Sequence, residues 1–270
     1  MMTPERLDEL IERFGECRVV VIGDFFLDKY LDTEPSLVEH SVETGQAAHQ
    51  VTGIRTSAGV AGTVVNNLAA LGAGRLEAIG AVGADGEAWE LRRCLEQLGC
   101  RSEHLHAFES LMTPTYLKPR DRTDSSLAGE HERYDTRNRS ATPGGIIETV
   151  VASLDAVLPG VDAVVVADQI EMDDCGVITA EMRDVLSQRA RAFPDIVFWV
   201  DSRTHIQLFR DLIIKPNQFE AVDHDLPRPD DRVPLEEVLA ALPRLKSLTG
   251  KPVVVTLGER EVADDDVPAE

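Results

Sequence analysis

Six short apolar runs, each closing on polar residues, constrain this chain more than any other feature. The run VVVI at 19–22 ends at Gly23-Asp24, the run at 163–167 ends at Asp168, and that at 196–200 ends at Asp201. Residues 76–82 lead into GADGEAWELRRCLEQLG, residues 212–214 end at Lys215-Pro216-Asn217, and residues 253–255 end at Thr256-Leu257-Gly258. A short run apolar at nearly every position reads as a strand buried on both faces. Between the runs lie helical patterns: Ala88, Leu91, Leu95 and Leu98 on one face, a segment at 177–193, and Leu235, Val238, Leu239, Leu242 and Leu245, with Pro243 a local kink. Another helix opens the chain, with Thr3 as cap, Pro4 at its first position and a stripe of Leu7, Leu10, Ile11 and Phe14. Strands alternating with helices predict an α/β fold of three layers around a central, mainly parallel sheet.

Two stretches break the rhythm. Residues 31–57 and 105–136 are polar, with short β-prone pieces and no helical period. Loops of that length need structure or function of their own, and both are expected to form a small β lid at one edge of the sheet. One domain is expected over residues 1–260, followed by an acidic tail at 261–270 that reads as disordered by composition.

Bulk properties exclude several functions. A net charge of −21 repels phosphate polyanions at long range, so neither nucleic acid nor an anionic membrane is expected as partner. No run approaches the roughly 20 apolar residues that span a bilayer. The opening MMTPERLDELIERF has no apolar signal-peptide core, which makes a cytoplasmic location the expectation. The four cysteines form no CxxC pair and the seven histidines no HExxH.

In open parallel α/β sheets, ligands bind outside the carboxyl ends of the strands. Asp24, Asp168, Asp201, Asn217 and Thr256 all fall there. Singly each is a turn former or helix cap; together they predict a binding site. In SAGVAGTVVNNLAALGA, Gly59 and Gly62 precede Thr63 and a helix. Backbone amides there face a ligand, or the small residues serve close packing, and the pattern alone does not decide.

The segments VVVIGDFFLDKYL, AGVAGTVVNNLAALGA, AVGADGEAWEL, TPTYLK, IIKPNQFEA and VVVTLGER, in this order, resemble the ribokinase-like (PfkB-type) carbohydrate kinases. The branch containing the heptose-phosphate kinase domain is the most similar. The resemblance implies a ribokinase-like fold with a sugar or sugar phosphate under the lid, and phosphoryl transfer from ATP with Mg²⁺. It assigns Asp24, Gly59, Thr63 and Lys118 to the acceptor. Val60 stands in place of the family's second glycine, and Thr63 where many members have asparagine. Asn217 and Glu220 match the N-x-x-E element that handles Mg²⁺ and the ATP phosphates. Thr256 and Gly258 match the T-x-G element beside the nucleotide, and Glu261 replaces a customary glycine. A homodimer through the lid is the implied assembly.

The family's Gly-Ala-Gly-Asp segment, which supplies the catalytic base and an anion hole, has no match in these residues. The expectation is therefore a carbohydrate kinase impaired by truncation. The alternative is a non-catalytic sugar- or nucleotide-binding or scaffolding paralogue; a nucleoside kinase is a weaker third reading.

Overall fold

A computed structural model describes residues 3–124, 129–224, 227–228 and 230–258. Helix α1 (Pro4–Glu12) is capped by the Thr3 hydroxyl, which accepts from the Arg6 amide. Its apolar stripe stays partly in solvent, with Leu7 and Ile11 about half exposed. Strands β1 (Arg18–Gly23) and β2 (Phe25–Thr33) follow, then a ribbon of β3 (Glu39–His40) and β4 (Ala47–Ala48), and β5 (Val51–Val60). Next come α2 (Ala61–Ala70), β6 (Arg75–Gly83), α3 (Gly86–Gln97) and β7 (Cys100–Phe108). The chain continues with β8 (Thr115–Asp121), β9 (Tyr134–Thr136), α4 (Gly144–Val157), β10 (Ala163–Asp168) and α5 (Ala180–Ala192). Strands β11 (Val197–Ser202) and β12 (Ile213–Ile214) precede α6 (Gln218–Ala221) and α7 (Leu235–Thr249).

Six strands form a parallel sheet in the order β12-β11-β10-β1-β6-β7. Alternation along β1 divides the core into two layers of side chains. Val20 and Ile22 join Ile147, Val150 and Leu154 of α4, Met182 and Leu186 of α5, and Val238 and Leu245 of α7. Val19 and Val21 join Val65 of α2 and Leu91 and Leu95 of α3. Helices thus cover both faces, giving the three layers that the alternating pattern predicts.

A second sheet, β5-β2-β8-β9, is drawn from the segments expected to form a lid. Its boundaries differ from that expectation. It begins at Phe25, immediately after β1, and residues 105–108 belong to β7 at the edge of the central sheet. Residues 125–128 of the second stretch, and the acidic tail, lie outside the described residues. The β2–β5 hairpin leaves the body after Asp24 and returns at Ala61, whose amide donates to the Asp24 carbonyl at 3.2 Å.

Residues 253–255 do not make the strand that their apolar run predicts. Only single parallel bridges pair Val253 with Ile214 and Thr256 with Asn217. The Val254 amide donates to the Ile214 carbonyl and the Thr256 amide to the Pro216 carbonyl, both at 3.1 Å. Pro216 has no N–H to return a bond, so the ladder stays broken. Among the described residues, no helix is long and apolar enough to cross a membrane.

Candidate active site

Asn217, Asp201, Asp168 and Asp24 line the carboxyl edge of the central sheet at the ends of β12, β11, β10 and β1. With about 4.8 Å between neighbouring strands, the row spans about 14 Å.

At one end, Asn217 caps the short α6. Its Oδ1 accepts from the amides of Phe219 (2.8 Å) and Glu220 (3.0 Å), while Glu220 Oε2 accepts from the Asn217 amide at 2.7 Å. The N-x-x-E spacing is thus a reciprocal capping box. Burial raises the Glu220 pKa, opposed by the Asn217 amide and reinforced by the Asp201 charge. The bridge between Asn217 and Thr256 brings the T-x-G element alongside. Gly258, at φ +68°, lies over the Gln218 side chain. The four residues expected on the nucleotide side therefore form one cluster.

At the other end, Asp24 is buried. The amides of Gln169 (3.0 Å) and Ile170 (3.3 Å) donate to its Oδ2, and that of Val177 to its Oδ1 at 2.8 Å. A Cβ on Gly176 would come within 2.7 Å of the same carboxylate. A space of about 20 Å³, enough for a water, lies beside Asp24. Asp24 thus ties the 169–177 loop to the β1–β2 junction.

The carboxylate beside Gly59 and Lys118 is Asp28. Lys118 Nζ lies 2.7 Å from Asp28 Oδ1 and 3.3 Å from the Tyr30 hydroxyl. It also stands 5.0 Å from the Tyr30 ring centre and 5.5 Å from that of Tyr116. Burial pulls the Lys118 pKa down, but the hydrogen bond and charge of Asp28 outweigh it, and the net shift is upward. A Cβ on Gly59 would overlap the Asp28 carboxylate, so only glycine leaves that carboxylate its position. Asp28 and Thr63 line one depression of about 260 Å³ with Ser57, Asn66 and Cys94. That volume is near the lower end, about 300 Å³, of small-molecule clefts.

No family model matches the chain. Among curated proteins it is 25% identical over 254 residues to the bifunctional protein HldE of Desulfatibacillum aliphaticivorans, a match covering 94% of this chain and 49% of that protein. The chain spans about half the length of the curated relatives it matches. Phosphofructokinase-2 from Escherichia coli, solved in complex with fructose-6-phosphate, superposes with a TM-score of 0.59 at 18% identity, over 90% of this chain and 74% of the other. The chain has the ribokinase-like fold. Ribokinase of Arabidopsis thaliana, solved with ribose and ATP, superposes at 0.56 and 15% identity, over 90% of this chain and 72% of the other. Sequence and fold together carry the resemblance to ribokinase-like carbohydrate kinases that the motifs announce.

Within this ribokinase-like frame, Asp28 is the carboxylate beside Gly59 and Lys118 that the sequence analysis did not single out. GDFFLD offers two carboxylates four residues apart. The sequence signal available was the position of Asp28 inside a β-prone run, opposite a segment rich in Ser and Gly. Which carboxylate receives the loop amides is decided by residues about 145 positions away.

Proposed function

We propose that the chain is a carbohydrate kinase domain that transfers the γ-phosphoryl group of ATP to a hydroxyl of a sugar or sugar phosphate. The observation that carries this reading is the division of the motif residues into two groups. Asp28 and Thr63 line one depression, with Gly59 and Lys118 against the Asp28 carboxylate, and Asn217, Glu220, Thr256 and Gly258 gather beyond β12. In this reading Asp28 accepts hydrogen bonds from acceptor hydroxyls, and Lys118 fixes the orientation of its carboxylate. Asn217 and Glu220 face the metal–nucleotide side.

Oxygen donors at that position suit Mg²⁺, which keeps several waters and takes one or two protein oxygens. Glu220 fits this role: Oε2 is held by the Asn217 amide, and Oε1 accepts no hydrogen bond among the described residues. When bound, the ion would neutralise phosphate charge. The remaining contribution of the chain is positioning and electrostatics.

The resemblance assigns the base to a segment with no match in residues 1–270, so binding is the first readout and turnover the second. Calorimetry with MgATP and a panel of sugars and sugar phosphates, headed by heptose phosphates, tests the reading. Binding of MgATP and one panel member supports it; failure of both to bind removes it. Binding of both without ADP release, in this chain and in any longer chain carrying a Gly-Ala-Gly-Asp segment, favours the non-catalytic paralogue. A homodimer through the second sheet belongs to the same reading, and sedimentation equilibrium measures it.

A further inference from the structure

Between the two ends of the sheet edge lies a group of charges that no motif accounts for. Arg203 and His205 follow β11, and the 169–177 loop passes in front of them. Glu171 Oε1 lies 2.9 Å from Arg203 Nε, and Asp173 Oδ1 lies 3.1 Å from His205 Nε2. Two acids on alternate residues thus face a guanidinium and an imidazole on alternate residues. Behind His205, Asp168 Oδ2 lies 3.3 Å from its Nδ1 and accepts from the Ser202 hydroxyl at 2.7 Å. The Ser202 hydroxyl in turn accepts from the His205 amide at 3.0 Å. The imidazole is therefore fixed from below, and the hydrogen bond it donates to Asp168 raises its pKa over the opposing effects of burial and of Arg183.

The partners differ in accessibility. The His205 side chain is 10% exposed and that of Asp173 is 89% exposed. The imidazole is built into the fold, whereas Arg203 and Glu171 are both about half exposed; Asp173 can leave at little cost, because a carboxylate already in water loses little hydration on being displaced. The loop is anchored at both ends through Asp24, by the amides of 169–170 and of 177, which leaves 171–173 as its spanning middle.

We propose that Arg203 and His205 form a phosphate-binding subsite that Glu171 and Asp173 cover until a phosphate-bearing ligand displaces them. Arginine and imidazolium both donate to phosphate oxygens, and a polyphosphate offers more charge and more oxygens than two separate carboxylates. The subsite sits at the sheet edge between the Asn217 cluster and Asp24, where α/β sheets take ligands. It deepens the kinase reading and rests on it for the source of the phosphate. Its own test does not require turnover.

Inorganic pyrophosphate is the probe, titrated calorimetrically into the full chain without metal. Glu171→Gln with Asp173→Asn tightens pyrophosphate by about fivefold, the effect of two surface ion pairs no longer competing. Arg203→Gln with His205→Gln weakens it by at least as much. Glu236→Gln with Glu237→Gln, the same change of charge on α7, leaves the affinity unaltered. Unchanged or weaker binding in the Glu171/Asp173 variant overturns the subsite, as does equal tightening in the α7 control. Displacement of pyrophosphate by ADP assigns the subsite to the nucleotide, and displacement by fructose 6-phosphate to the acceptor. The expected response to the variants, with displacement by neither, leaves the subsite standing and counts against the kinase reading.

Discussion

Asp28 and Lys118 pair across the neighbouring strands β2 and β8 at 2.7 Å, with each side chain less than one-fifth exposed. Asp28→Asn is expected to weaken binding of the acceptor by about 1.5–3 kcal/mol, the range for hydrogen bonds to a charged group. Gly59→Ala acts in the same direction, because the added methyl takes the place of the carboxylate. Calorimetry with the panel sugar that binds wild type checks both. Undiminished affinity in Asp28→Asn would place the acceptor elsewhere.

Asp24 gives a pH signature of the opposite kind. Burial pushes its carboxyl up to about 6 from an ordinary 3.8, with the Val177 amide opposing and the Asp168 charge adding to the rise. A carboxyl raised on folding contributes stability that is fully present below about pH 3.8 and is lost as pH rises through about 6. The shift corresponds to about 3 kcal/mol. Denaturant unfolding of wild type and Asp24→Asn at several pH values isolates this group from the protein's many other acids. The advantage of wild type over the variant is expected to shrink between pH 4 and 7. A difference that stays flat would mean the carboxylate is better solvated by its three amides than its burial implies.

Val60 occupies φ +58° and ψ −111°, a backbone region essentially reserved for glycine. The junction holds this conformation although the residue is β-branched. Val60→Gly is expected to stabilise the fold by about 1–2 kcal/mol, the relief of strain less the added freedom of the unfolded chain. Thermal unfolding reads this directly, and a lower melting temperature would contradict it.

The capping box separates two roles of the N-x-x-E residues. Glu220→Gln keeps an oxygen for the Asn217 amide, so stability is expected to change by less than about 0.5 kcal/mol, while the Mg²⁺ needed for ATP binding rises. Asn217→Ala loses the cap and costs about 1 kcal/mol. Mg²⁺ titrations run beside unfolding curves check the pair. If Glu220→Gln loses stability and leaves the Mg²⁺ requirement unchanged, the motif is only a cap.

Five strands of the central sheet were legible because burial on both faces leaves unbroken apolar runs; β7, at the sheet edge, alternates with polar residues and was not. The strand ends were legible because polar residues stop those runs. Helix α4 was not read from the sequence: it opens on two glycines, and IIETVV has the branched side chains of a strand, yet Ile146, Ile147, Val150 and Leu154 bury one helical face. The helix expected from 177 starts instead at Ala180, because the Thr179 hydroxyl accepts from the Met182 amide and caps it. The candidate site was legible at its N-x-x-E end, where Asn217 and Glu220 are close in sequence. The pairings of Asp28 with Lys118 and of Asp24 with Val177 join positions far apart, and local pattern carries no record of them.

The hydrogen bond between Ala61 and Asp24 closes the base of the β2–β5 hairpin. To the central sheet, everything from Phe25 to Val60 is therefore an insertion of nearly zero span, whose two ends are already joined. Lengthening or replacing its outer part adds only the slowly growing closure entropy of a longer loop, and leaves the path of the core untouched. The outer part of the hairpin is thus open to exchange, while its base, where Phe25, Leu27 and Ala58 pack into the core beside Asp28 and Gly59, has to be kept.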